Sequence, residues 1–166
     1  DARREAALDP MGSIYRGGPP NLAAFRLLYT DQLLRAARSN VQQSLKALGR
    51  IDRGGLSSER QISYDTFLLA KREEAQWLRP DMRALTAVRP FNHFGGLHVE
   101  FPALIAKQGA LRYESELDYR RNLALLEAFP EILDNAIARF RQGLASGVVE
   151  TRLTTVNVIA QSEAVL

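Results

Sequence analysis

The sequence contains no cysteine and only two histidines among its 166 residues. The lack of cysteine excludes a disulfide framework, a thiolate zinc site and a cysteine nucleophile. No apolar stretch approaches the roughly 20 residues that a membrane-spanning helix needs, so we expect no membrane span. The remaining composition, 46% hydrophobic and 25% charged, is that of a globular chain and argues against intrinsic disorder.

The positive charge of the chain is small and is not clustered. Lys and Arg number 22 against 19 Asp and Glu, which gives a net charge of +3. Basic pairs such as Arg3-Arg4 and Lys71-Arg72 are followed at once by acidic residues. Mixed signs at this spacing are typical of solvated helix faces. We therefore expect no nucleic-acid partner, because such a partner requires a clustered basic patch.

Helical periodicity is the main pattern in the sequence. Apolar residues recur every three or four positions, which predicts helices that bury one face. The pattern predicts a short helix over 2–8, one long amphipathic helix over 22–48 that Gly49 ends, and a helix that begins at Ser57 or Ser58 and that Pro80 ends. Further helices are predicted to begin at Ser115, where Asp118 completes a capping box, at Pro130, and at Thr151.

Residues 80–113 interrupt this pattern with prolines and glycines. Only Pro102–Lys107 reads as helical, and Leu97–Phe101 is briefly strand-like. The predicted fold is therefore all-α, an irregular assembly of about five or six helices with a long irregular stretch at 80–113. Such a stretch inside a compact domain is often functional or packed against something else.

Both histidines lie in this stretch, and with a nearby carboxylate they are candidate cleft residues: His93, His98 and Glu100. Two histidines five residues apart across a Gly-Gly pair do not form the i, i+4 pair of a helical zinc site, so no metal ligand is assigned. The glycines indicate a turn. The histidines would either form local hydrogen bonds or face a cleft. No phosphate-binding loop and no serine-hydrolase elbow occurs, and no catalytic residue is assigned.

A second candidate position lies where a helix is predicted to begin. Arg112 and Tyr113 precede the capping serine, so a guanidinium group and a phenol could meet a ligand carboxylate there. The alternative is that the aromatic side chain only fixes the start of the helix.

The two ends of the sequence suggest a longer protein. The last predicted helix, over 151–166, stops on Val165-Leu166 without a glycine cap or a basic residue in its last turn. The sequence begins at Asp1, so a signal peptide could have been removed before it. We expect residues 1–166 to be the N-terminal helical region of a larger protein rather than a complete catalytic unit.

Four stretches, in order, carry a resemblance to a known family: 56–71 (LSSERQISYDTFLLAK), 90–102 (PFNHFGGLHVEFP), 115–130 (SELDYRRNLALLEAFP) and 134–161 (DNAIARFRQGLASGVVETRLTTVNVIAQ). With them the sequence resembles the N-terminal part of the bacterial family catalogued as domain of unknown function 885. Members are larger, mostly helical proteins that are often exported or lipid-anchored. Their C-terminal half carries an H-E-x-x-H helix like that of zinc metallopeptidases, in which the histidines bind zinc and the glutamate activates water.

The resemblance implies a function that this chain would share only in part. The sequence has no H-E-x-x-H motif, and Glu150 stands where the family commonly has proline. We therefore expect no cofactor in this chain and zinc in the C-terminal half. The expected partners are that half and a peptide substrate. This chain would pack on that half and wall its cleft, with residues 90–113 as the expected lining. The alternative is a stand-alone helical binding module without catalysis. The expected location is periplasmic or exported, with a cytoplasmic location still open.

Overall fold

In a computed structural model of the chain, the structure describes residues 2–106 and 108–164. Within these ranges the backbone forms helices and no β-strand, which confirms the all-α prediction. The nine described helices exceed the expected five or six, and the following paragraphs give the reasons. They are α1 Ala2–Leu8, α2 Gly12–Tyr15, α3 Leu22–Arg26, α4 Asp31–Leu48, α5 Ser58–Trp77, α6 Pro80–Thr86, α7 Leu97–Ile105, α8 Glu116–Ser146 and α9 Arg152–Glu163.

Helices α4 and α5 pack as an antiparallel pair across a short connection. The Tyr64 hydroxyl donates to the Leu48 carbonyl at 3.3 Å, which joins the end of α4 to the first half of α5. At the other end, Arg38 Nε donates to the Leu78 carbonyl at 2.6 Å. A single 3-10 turn, Arg53–Gly55, lies between the two helices. Short loops between long helices produce this arrangement.

The prediction of one helix over 22–48 is wrong, because the backbone breaks between α3 and α4. Tyr29 adopts a left-handed conformation with φ 64°, which is uncommon outside glycine. Thr30 then caps α4, its hydroxyl accepting from the Leu33 amide at 3.3 Å. The carbonyls freed by the break are bound by α8, since Arg139 Nε donates to Tyr29 O at 2.6 Å and Asn135 Nδ2 to Leu28 O at 3.3 Å.

The stretch 80–113 is more regular than predicted. Pro80 does follow the end of α5, but it is also the first residue of α6, where its missing N–H costs nothing. Helix α7 begins at Leu97, five residues before the expected start at Pro102, and contains that proline in its interior. The strand-like run 97–101 is therefore helical. Lys107, the expected last helical residue, lies outside the described residues.

Helix α8 begins as predicted at its Ser115 cap, but it does not restart at Pro130. The Ser115 hydroxyl accepts from the Asp118 amide, and the Asp118 carboxylate accepts from the Ser115 amide, so both halves of the capping box are present. Gly147, with φ 77°, provides the left-handed C-cap. The helix runs through Pro130 over 31 residues, or about 46 Å at 1.5 Å per residue.

The buried core lies where α3, α7 and α8 meet. The Phe101 ring stacks on Phe129 with 4.2 Å between ring centroids and contacts Phe25 at 5.4 Å. Leu125 and Ile132 of α8 are completely buried beside them. Complete burial of a large apolar side chain stabilises a fold by about 1.5–3 kcal/mol.

The last helix, α9, follows its predicted start, with the Thr151 hydroxyl accepting from the Thr154 amide at 3.2 Å. The apolar pair Val165-Leu166 lies outside the described residues. In the part of the chain that the structure describes, no helix combines the length and the apolar character that crossing a bilayer requires.

Candidate functional site

The two histidines are brought together by one side chain of α9. Gln161 Oε1 lies 3.1 Å from His98 Nε2, and Gln161 Nε2 donates to the His93 carbonyl at 3.0 Å. Because the amide NH₂ is used on the carbonyl, the amide oxygen accepts and His98 Nε2 is the protonated nitrogen. One glutamine therefore links α9 to α7 and to the loop that precedes α7.

His98 is buried and held by contacts on two sides. Its imidazole stacks on the Phe91 ring with 5.0 Å between ring centroids. Its Nδ1 is buried without a hydrogen-bond partner in the described ranges, and a Cβ added at Gly96 would lie 3.0 Å from it. Gly96 has φ 146°, a conformation that L side chains rarely adopt. This glycine is therefore required both by the backbone and by the imidazole beside it.

The loop before α7 is a tight turn held by polar side chains at both ends. Asn92 Oδ1 accepts from the amides of Phe94 and Gly95 at 2.9 and 3.1 Å, as Asx turns do. Glu100 Oε1 accepts from the Gly96 amide at 3.1 Å, at the positive N-terminal end of α7. Glu100 thus fixes the turn that separates the two histidines in sequence.

Tyr29, the left-handed residue before α4, belongs to the same neighbourhood. Its ring meets Phe91 edge to face with 5.6 Å between centroids. Burial, together with the nearby Glu100 carboxylate, raises the pKa of the Tyr29 phenol to about 12, against a smaller lowering by the Leu97 amide. The phenol is therefore neutral at physiological pH and can act only as a hydrogen-bonding group.

An open recess lies on the outer side of this corner, which we call the His93 recess. It has a volume of about 300 Å³, and it is lined by Thr86, Arg89, Asn92, His93, Phe94, Glu150 and Thr154. His93 Nδ1 is buried there without a hydrogen-bond partner among the described residues. The Phe94 side chain is 89% exposed, and its ring lies 4.0 Å from that of His93. An exposed aromatic ring beside an imidazole is an arrangement that can receive a ligand.

Arg89 and Glu150 are charged residues in the lining of the recess, and they form a long ion pair. Arg89 Nη1 and Glu150 Oε1 are 3.9 Å apart. Glu150 also lines an adjoining apolar groove of about 300 Å³ between the end of α8 and α9, whose walls include Leu144, Val149 and Ile159. The polar recess and the apolar groove therefore meet at Glu150, the residue that stands where the family commonly has proline.

Arg112 and Tyr113 lie away from this corner, before the start of α8. The Tyr113 hydroxyl donates to the Ile105 carbonyl at 2.8 Å, and its ring meets Tyr119 at 5.2 Å. This hydroxyl thus joins the end of α7 to the start of α8. Arg112 lines a different pocket, together with Arg121 and the loop at Gly17-Gly18.

The described residues do not form a zinc site. Across 2–106 and 108–164, no three His, Asp or Glu side chains come together as metal ligands would. His98 uses Nε2 on Gln161, and its Nδ1 faces Gly96, so neither nitrogen is open to a metal. The zinc that the family resemblance implies is expected in the C-terminal half and not at these residues.

Several residues of the site were not candidates in the sequence. Gln161 was not a candidate, although it is the last residue of the fourth family-like stretch. Thr154 and Arg89 were also missed. The signal available for Gln161 was its position, because this polar residue directly follows the apolar run Val158, Ile159 and Ala160.

Comparison with known proteins gives a family and no close relative. No curated protein and no solved structure matches the chain. A family model described as "Bacterial protein of unknown function (DUF885)" matches residues 25–166, which include α4 to α9 and every candidate site residue. The chain therefore belongs to this bacterial family.

Proposed function

We propose that this chain is the N-terminal helical region of a bacterial zinc-dependent peptidase or related hydrolase. In this proposal it packs on a catalytic half that carries the zinc, and it walls the substrate cleft of that half. Membership of the family supports the proposal. The observation that carries it is an apolar surface on α8 and α9 that faces outward.

An exposed apolar stripe runs along α8. Its members are Tyr119, Leu123, Leu126, Ile137 and Leu144. The other four lie 4, 7, 18 and 25 residues after Tyr119. These spacings are close to whole numbers of helical turns at about 3.6 residues per turn. The stripe therefore follows one face for most of the helix. The apolar spacing of Ile132, Ala136, Ile137 and Leu144 predicts one inward face. Ile132 and Ala136 are buried as this predicts, whereas Ile137 and Leu144 are exposed, Leu144 to 71%.

Helix α9 is oriented with its apolar side outward. Thr154 is buried and Gln161 is half-buried, whereas Leu153, Val156 and Ile159 are exposed, Leu153 to 67%. Leu144 and Ile159 line the same apolar groove, so the surfaces of α8 and α9 adjoin. Apolar surfaces of this kind on a folded chain mark interaction sites, and the occupant we propose is the catalytic half of the same protein.

The His93 recess supports the second part of the proposal. It opens beside the apolar groove and shares Glu150 with it. A catalytic half seated on α8 and α9 would border the recess at that residue. The recess would then contribute Phe94 and the imidazole of His93 to the wall of the cleft, and zinc and the activated water would be supplied by the other half.

A pair of leucines on α8 tests the packing in the natural full-length protein. Leu123 lies on the stripe and Leu117 lies off it, and the two are similarly exposed at 55% and 54%. If the stripe is covered, Leu123→Ser lowers the free energy of unfolding by about 1.5–3 kcal/mol, whereas Leu117→Ser changes it by about 0.5 kcal/mol or less. Equal small effects in chemical denaturation would contradict the packing.

The alternative is a stand-alone helical binding module without catalysis, and the apolar groove is the observation that favours it. A complete module would be monomeric and would unfold in one cooperative transition. In that case the two leucine variants would behave alike, and the natural protein would contain no zinc.

We also propose that the protein lies outside the bacterial cytoplasm, as the family resemblance implies. Fractionation of the native cells, followed by detection with an antibody, tests this. Recovery in the periplasm or envelope supports the proposal, and recovery with cytoplasmic markers contradicts it.

A further inference from the structure

A small pocket lies between the loop before α3 and the start of α8. It has a volume of about 120 Å³, which is room for a small ligand only. Leu111 and Pro20 provide apolar walls, and Arg112, Asp118 and Arg121 bring charge to it. The pocket therefore suits a small charged group with a short apolar part.

The backbone on both sides of the pocket is fixed in place. Asn122, which is buried, donates from Nδ2 to the Arg112 carbonyl at 2.8 Å. Across the pocket, Gly17 has φ 75°, and a Cβ added there would lie 3.1 Å from Arg112 Nη2. The glycine thus leaves room for the guanidinium group, and its backbone conformation disfavours any other residue.

Both arginine side chains of the pocket are exposed, and the pKa of the Asp118 carboxyl beside them is lowered by its hydrogen bonds to Ser115 and by the charge of Arg121. Across 2–106 and 108–164, Arg112 and Arg121 form no ion pair and no hydrogen bond through their guanidinium groups. Asp118 uses Oδ2 on the amide and the hydroxyl of Ser115. By contrast, Arg120 on the same helix is paired with Glu116.

The charge balance of the lining indicates which anion fits. Two guanidinium groups and one carboxylate leave a net charge of +1. This is matched by one carboxylate, whereas a phosphate group carries about −1.5 to −2 at pH 7. Arginine also binds a planar carboxylate through two parallel hydrogen bonds.

We propose that this pocket binds the carboxylate group of a small or terminal organic acid, with Arg112 and Arg121 as the binding residues. The carboxylate lies between the two guanidinium groups, and the short aliphatic part of the ligand contacts Leu111 and the proline wall. Asp118 limits the pocket to a single negative charge. The site is separate from the His93 recess and does not rest on the peptidase proposal.

Saturation-transfer difference NMR on the natural full-length protein tests the proposal, with propionate as the probe and propionamide as its neutral analogue. We expect propionate to bind and propionamide not to bind. Arg112→Gln and Arg121→Gln should each weaken propionate binding at least about tenfold, because each removes a charged hydrogen-bond donor. Arg120→Gln, the matched control, should leave the affinity unchanged.

Three results would overturn the proposal: equal binding of propionate and propionamide, unchanged propionate affinity in both pocket variants, or inorganic phosphate binding more tightly than propionate. Circular dichroism confirms that each variant is folded. N-acetyl-alanyl-alanine and its C-terminal amide then identify the source of the carboxylate. Displacement of propionate by the free acid and not by the amide indicates a peptide terminus, and displacement by neither indicates a small free acid.

Discussion

Replacing Gln161 by methionine removes the hydrogen bonds that hold the candidate site together while keeping a side chain of similar length. The wild-type amide contacts His98 Nε2 at 3.1 Å and the His93 carbonyl at 3.0 Å. In Gln161→Met both contacts are lost, and the N–H of a buried imidazole is left without a partner. We expect α9 to be held less tightly against α7 and the loop at 92–95.

The expected loss in the free energy of unfolding follows from the hydrogen-bonding groups that lose their partners in Gln161→Met. Each hydrogen bond contributes about 1 kcal/mol, and a buried donor left unsatisfied costs about 1–3 kcal/mol. Because His93 as a residue is only half-buried, we expect water to replace part of the bond to its carbonyl. The free energy of unfolding should fall by about 2–3 kcal/mol. For a chain of this size each kcal/mol corresponds to about 2–4 °C, so Tm should fall by about 5–10 °C.

Thermal unfolding followed by circular dichroism measures the change, and hydrogen exchange of the amides in α9 localises it. Ser162→Ala is the matched control, because Ser162 is the next residue on α9 and its hydroxyl bonds only to the Val158 carbonyl of its own helix. The control should stay within about 0.5 kcal/mol of wild type. The reasoning is refuted if Gln161→Met and Ser162→Ala have the same Tm and the same exchange rates.

Three further predictions concern the residues around this corner. Arg139→Met should lower the free energy of unfolding by about 2–4 kcal/mol in urea titrations, because the Tyr29 carbonyl and Asp31 both lose a charged partner; a change below about 1 kcal/mol would contradict it. Gly96→Ala should cost about 2–3 kcal/mol by the same assay, since its φ and the nearby His98 ring both oppose a Cβ. The raised pKa of Tyr29 means that the unfolded chain loses its phenolic proton first. Stability should therefore be full below about pH 10, and the Tyr29 contribution should decline by about 1–2 kcal/mol up to pH 12. Tyr29→Phe should reduce the total decline by this amount, and an unchanged decline in that variant would refute the assignment.

The helices could largely be predicted because their signals are local. Apolar periodicity and the capping box at Ser115 and Asp118 lie within a few residues of the elements that they define. The break before α4 could not be predicted, since Leu27, Leu28 and Tyr29 continue the apolar pattern without a glycine or proline. The bond that stabilises the break comes from Arg139, 110 residues away in sequence.

Only the local part of the candidate site could be predicted, because the rest depends on contacts between residues far apart in sequence. The Gly-Gly pair indicated a turn, and the histidines, with Glu100, do lie beside it. Their connecting residue, Gln161, contacts them over sequence separations of 63 and 68 residues, which no local pattern records. Periodicity also cannot tell which side of an amphipathic helix faces the core, and on α9 the apolar side faces outward.

The proposal that this chain belongs to a zinc-dependent hydrolase is tested most directly by one measurement on the natural full-length protein. Hydrolysis of a peptide library is followed before chelation, after removal of metal, and after zinc is restored, with the zinc content of the same samples determined in parallel. The account predicts one zinc per chain, loss of hydrolysis with the metal and recovery with zinc. A protein that contains no zinc and cleaves no peptide in the library would contradict it.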